Sequence, residues 1–172
     1  MKSRMKPEEH IIHPFGPYIP ENAHILILGS FPSVKSREQM FFYGHPQNRF
    51  WRVLAGLMSS PIPGTIEEKK RLLDRYGIAL WDVIGSCTIR GSSDASITDV
   101  VPNPLEPILK NHEIEWIYLN GKTAARFYDR YQKPLTGREA IMLPSTSPAN
   151  AQFSLEKLIK EWNVITGHAG LH

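Results

Sequence analysis

An α/β fold, with a parallel sheet of four strands between two layers of helices, is what this sequence predicts. Three observations carry that prediction. Short aliphatic runs, each closed by a turn signal, alternate along the chain with stretches of helical periodicity. The first run, Ile25-Leu26-Ile27-Leu28, is apolar on both faces, as strands inside parallel sheets are. The chain has 172 residues, 41% hydrophobic and 22% charged, which suits a single globular domain of three-layer α/β/α type.

The elements follow in order. Residues 1–22 are rich in proline (Pro7, Pro14, Pro17, Pro20) and read as an extended N-terminal arm. The first strand, 25–28, ends at Gly29. From Asn48 the apolar residues Phe50, Trp51, Val53, Leu54, Leu57 and Met58 fall on one helical face. Thr65 with Glu68 three residues later forms a capping box, and Gly77 closes that helix. A second strand spans 78–84, and Asn103-Pro104 read as the cap and first turn of a short helix. A third strand, 114–119, ends at Asn120-Gly121, and a helix follows from Lys122 to Tyr131. The fourth strand, 139–143, ends at Pro144. The last helix begins near Ser154 and carries Leu155, Leu158, Ile159, Trp162 and Ile165 inward.

Ligands of such sheets bind at the carboxyl ends of the strands. The segments to inspect are therefore 29–47, 85–98, 120–122 and 144–153. The first is long for a connection and holds hydroxyls, Lys35, Arg37 and three consecutive aromatics, Phe41-Phe42-Tyr43, on which a base could stack. Segment 85–98, rich in glycine and serine with Arg90 and Asp94, reads equally as a contact to ligand backbone or as an ordinary polar crossover loop. Ser145, Thr146 and Ser147 precede a helix, where hydroxyls and amides can hold a phosphate.

Several function classes drop out. The lone cysteine, Cys87, permits no internal disulfide and no four-cysteine metal site. The seven histidines lack metal-ligand spacing, so no metal and no cofactor are expected. There is no Gly-x-Ser-x-Gly elbow, no phosphate-binding loop ending in Lys-Ser or Lys-Thr, and no dinucleotide glycine motif. No apolar run approaches the length of a membrane span or a signal peptide, so no membrane partner and a cytoplasmic location are expected. A net charge of +3 permits a polyanionic partner without demanding one.

Three motifs then occur in order: Gly29-Ser30-Phe31-Pro32-Ser33 after the first strand, His45-Pro46-Gln47-Asn48-Arg49-Phe50-Trp51 at a helix start, and Pro144-Ser145-Thr146-Ser147-Pro148-Ala149-Asn150 before the last helix. Over residues 23–165 the chain resembles the uracil-DNA glycosylase superfamily, most of all its hypoxanthine-DNA (deoxyinosine) glycosylase branch. The resemblance implies a monomeric enzyme that flips a deaminated base, hypoxanthine or uracil, out of DNA and hydrolyses its N-glycosidic bond. It places Tyr43 where a ring stacks on the extruded base, and Ser30 and Phe31 in the base pocket. Ser33 and the stretch Ser145, Thr146, Ser147, Pro148, Ala149, Asn150 fall on DNA-gripping loops, and Asn120 and Lys122 match an Asn-Gly-Lys after the third strand of thymine-DNA glycosylases. Phe31 stands where most relatives carry the Asp or Asn that orients water, and Ser145 where many carry His or Asn. In the hypoxanthine branch the catalytic amide comes instead from the position of Asn48. Two other readings stay open: a module that senses flipped bases without cutting, and an unrelated nucleotide-binding α/β protein.

Overall fold

The computed structural model describes residues 6–169. Its central sheet has four parallel strands in the order β3-β2-β6-β7, formed by β2 (Ile25–Gly29), β3 (Ile78–Asp82), β6 (Trp116–Asn120) and β7 (Ile141–Leu143). The expected four-stranded sheet is therefore present. Every residue of β2 and β3 is buried, as their apolar runs require, and the charged Asp82 that ends β3 is buried with them. The register aligns the strand ends: Gly29 lies beside Asp82, Leu28 beside Leu119, and Asn120 beside Leu143. Asp82, Gly29 and Asn120 thus form one rim.

The helices are α1 (Val34–Gln39), α2 (Phe50–Leu57), α3 (Ile66–Tyr76), α4 (Glu106–Asn111), α5 (Lys122–Phe127), α6 (Lys133–Thr136), α7 (Leu155–Trp162) and α8 (Val164–His168). Thr65 caps α3 by accepting from Glu68 N, and Gly77 ends it in the left-handed conformation. Ser154 caps α7 by accepting from Lys157 N, an interaction worth about 1 kcal/mol. Helices α2 and α7 meet through Phe50, edge-on to Trp162 at 5.9 Å, and the Trp162 indole donates to the Pro144 carbonyl at 2.8 Å. Both side chains are wholly buried, so the last helix is fastened to the rim loop before it.

Several expectations give way. Segment 85–98 is not a crossover loop. It contains most of β4 (Ile84–Arg90), which pairs antiparallel with β1 (Glu8–Ile12) on one side and β5 (Thr98–Pro102) on the other. The expected strand at 78–84 divides at Val83, where the chain passes from one sheet to the other. There the Asn103 amide donates to the carbonyls of Asp82 and Ile84, and the Gln132 amide to those of Val83 and Asn103. Asn103 is therefore a buried bridge between sheets, not a helix cap, and α4 starts at Glu106. The long segment 29–47 is interrupted by α1, whose cap is Ser33. The N-terminal arm is extended, but it contributes β1, and Tyr18 bonds Leu80 in both directions along the free edge of β3. Among the described residues no helix is long and apolar enough to cross a membrane.

Candidate active site at the carboxyl rim of the sheet

Two glycines make room for this rim. A Cβ on Gly29 would lie 2.6 Å from Asp82 Oδ1 and 3.1 Å from the Tyr43 hydroxyl, so the closeness of these groups depends on a residue without a side chain. Gly121 adopts a φ of 97°, and a Cβ there would meet Ser145 Cβ at 2.9 Å. That is how closely loop 144–150 approaches the end of β6.

Asn48 sits just before α2. Its Oδ1 accepts from Phe50 N at 2.9 Å and from the Thr146 hydroxyl at 2.9 Å. Thr146 is fully buried; its N–H donates to Asn120 Oδ1 at 3.0 Å and its Oγ1 accepts from Asn120 Nδ2 at 3.0 Å. The Asn48 Nδ2 donates to no group among the described residues. The side chain thus holds the first N–H of α2 with its oxygen and keeps its nitrogen for something else.

Tyr43 is half-buried and stacks on Phe50, with ring centroids 4.0 Å apart and planes 19° from parallel. Its φ of 55° is unusual for a bulky residue, the kind of local strain found at ligand sites. Its hydroxyl is buried and has no hydrogen-bond partner among the described residues. Burial, and then the nearby Asp82 charge, push the phenol well above its ordinary range, so it stays protonated.

Sequence reasoning missed the groups beside it. Asp82, at the end of β3, and His13, from the arm, form a pair with Nε2 and Oδ2 2.7 Å apart. Their side chains are only 5% and 3% exposed, so the pair is largely shielded from water. His13 packs among Phe15, Trp81 and Phe31, at 4.6, 4.5 and 5.7 Å. The only local sign of this site was a carboxylate at the end of an otherwise apolar strand.

The remaining predicted site residues divide. Ser30, next to Gly29, donates to Asp94 at 3.2 Å. Phe31 is buried against His13 and beneath the Arg37 guanidinium, so its ring serves as wall. Three of the expected DNA contacts have side chains engaged within the protein. The Ser33 hydroxyl both caps α1 and donates to Ser36, Asn120 spends both ends of its amide on Thr146, and Thr146 has no exposed surface. Ser145 and Ser147 accept from Ser147 N and Ala149 N, each at 3.1 Å, which leaves their own O–H protons free to face outward. The Asn150 amide is tied to the Ser145 carbonyl, whereas Pro148 and Ala149 are exposed. Lys122 is exposed and makes no ion pair among the described residues. Arg49 is an internal fastener: its guanidinium donates to the carbonyls of Ser147, Asn150 and Phe153.

A family model described as the uracil DNA glycosylase superfamily matches residues 16–165. The chain belongs to that superfamily. Its sequence is 33% identical over 159 residues to the hypoxanthine DNA glycosylase of Methanosarcina acetivorans, covering 90% of this chain and 97% of the relative. It is 36% identical over 152 residues to the hypoxanthine DNA glycosylase of Methanosarcina barkeri, covering 86% and 93%. The solution NMR structure of a Methanosarcina acetivorans protein assigned to the uracil DNA glycosylases superposes with a TM-score of 0.78 at 32% identity, covering 92% of this chain and 99% of that one. Membership of the superfamily makes this chain a DNA glycosylase, and the rim is where its chemistry is to be sought.

Proposed function

We propose that this glycosylase removes hypoxanthine from deoxyinosine-containing DNA, with uracil as a second substrate, and leaves an abasic site. The observation that carries the reading is the Asn48 amide, held rigidly at the sheet rim with one end uncommitted and with Tyr43 and Asp82 on neighbouring rim positions. The likeness to relatives named hypoxanthine DNA glycosylases supports the choice of base.

A base inside a duplex must leave the stack before its glycosidic bond can be reached, and a mispaired base does so at lower cost. In this reading Tyr43 offers its ring to the flipped base. The second oxygen of Asp82 makes no hydrogen bond among the described residues and accepts the ring N–H that flanks a carbonyl in hypoxanthine and in uracil. Adenine and cytosine carry a lone pair at that position, which a carboxylate repels. Bond cleavage puts negative charge on the departing base, and a donor aimed at it lowers the barrier; loss of one such donor typically costs about 10²–10³ in rate. Ser145, Ser147 and Lys122 hold the backbone, and Pro148 with Ala149 enters the gap left by the base.

The test is base release from duplexes carrying deoxyinosine, deoxyuridine or unmodified bases, followed by cleavage of the resulting abasic site. Release from deoxyinosine before deoxyuridine, and none from adenine, is expected. Tight binding of these duplexes without release would support a sensing module instead.

A further inference from the structure

We infer that Thr146 is a positioning residue that turns Asn48 so that its amide nitrogen, and not its carbonyl oxygen, faces the substrate; this rests on the glycosylase reading above. The direction of each hydrogen bond follows from one group that has no choice. The backbone N–H of Thr146 can only donate, and it lies 3.0 Å from Asn120 Oδ1. That fixes which end of the Asn120 amide is oxygen. Its nitrogen therefore points to Thr146 Oγ1, 3.0 Å away, and donates to it. A hydroxyl has one proton. Having accepted from Asn120, Thr146 gives that proton to Asn48 Oδ1 at 2.9 Å. The Phe50 N–H donates to the same oxygen at 2.9 Å. Both lone pairs of a carbonyl oxygen are then in use. Thr146 is wholly buried, so water cannot take its place.

The chemical consequence is specific. Asn48 has no lone pair left with which to orient an attacking water. It can only donate, and the acceptor that gains charge during reaction is the departing purine, at a ring nitrogen. The C1′–N9 bond breaks with its electron pair passing to the base; water supplies the oxygen to C1′, the proton it releases passes through solvent to the departed base, and Asn48 keeps its own protons throughout. Thr146 never touches the base. Its contribution is orientation, and small errors in orientation are costly to rate.

The full chain, with Asn48→Ala, Asn48→Asp, Thr146→Val and Thr146→Ser, is assayed for single-turnover release of hypoxanthine and for duplex affinity. Asn48→Asp keeps both accepting interactions and the size of the side chain but cannot donate at neutral pH; it should be as slow as Asn48→Ala, about 10²-fold or more below the parent. Thr146→Val should lose at least about tenfold in release with affinity unchanged, and Thr146→Ser, which restores the hydroxyl, should stay within about threefold of the parent. Asn48→Asp working near the parental rate would overturn the inference, as would Thr146→Val doing so. If Thr146→Val fails to fold, the Asn48→Asp comparison decides alone. A parent chain inactive on deoxyinosine and deoxyuridine removes the functional reading itself, whereas an active parent with an active Asn48→Asp removes only this inference.

Discussion

His13 Nε2 and Asp82 Oδ2 lie 2.7 Å apart, one residue from the N-terminal arm and the other from the end of a central strand, both largely shielded from solvent. Removing one member of a buried pair leaves the other uncompensated, a cost of about 3–5 kcal/mol. His13→Phe should therefore lower the melting temperature markedly, and His13→Phe with Asp82→Leu should recover much of it while remaining inactive on deoxyinosine. Thermal denaturation of the two variants checks this. A His13→Phe chain that melts with the parent would show that the arm does not hold the carboxylate.

Tyr43 separates ring from hydroxyl. Its hydroxyl is buried without a partner, and such a group costs about 1–3 kcal/mol. Tyr43→Phe should melt at or above the parental temperature and keep most of its activity, whereas Tyr43→Ala should lose activity. Equal losses of base release in both variants would assign the role to the hydroxyl and end the stacking account.

DNA affinity should depend only weakly on salt. Arg49 is spent on the carbonyls of loop 144–153, Arg90 is paired with Glu8 and Lys35 with Glu38, while Lys122, two residues beyond the rim residue Asn120, has no acidic partner among the described residues. The slope of log affinity against log salt should be about −1 to −3, and Lys122→Ala should reduce it by about one. A slope near about −8 would place the DNA on a basic surface away from these loops.

Cys87 is wholly buried, and burial pushes its thiol up from an ordinary 9.0 to about 11. The folded chain therefore holds this proton more tightly than the unfolded chain does. Its contribution to stability is complete below the ordinary thiol range and is lost as pH rises from about 9 towards about 11. Urea denaturation across that range should show the parent losing stability faster than Cys87→Ala, and thiol reagents should modify the native protein slowly at neutral pH. Parallel pH profiles for the two chains would contradict this.

What could be read from the sequence was local. The continuous aliphatic run at 25–28, the Thr65–Glu68 cap with Gly77, and Ser154 before the last helix each act through neighbours a few residues away, and each appears as expected. The second sheet escaped because β4 is rich in glycine, serine and threonine and shifts register against β5, so only Cys87 and Ile89 show the alternation of a strand. Asn103 looked like a cap because Asn-Pro is common there, but its amide answers carbonyls some twenty residues back that only the sheet crossing exposes. In the serine loops the sequence did not show the internal bonding: Ser33 caps α1 and Thr146 donates to Asn48. His13 and Asp82 are 69 residues apart and share no periodic pattern, so their pairing had no signal in the sequence.

The most direct test is single-turnover release of hypoxanthine from a deoxyinosine duplex by the parent chain and by Asn48→Ala. The account predicts that the parent releases the base and that Asn48→Ala is slower by at least about 10²-fold. Duplex affinity should be unchanged, and the melting temperature should fall by no more than the loss of a helix-end hydrogen bond, about 1 kcal/mol, explains. A variant that still releases hypoxanthine at close to the parental rate, or whose lost rate is matched by a collapse in thermal stability, would reduce Asn48 to a helix cap and contradict the account.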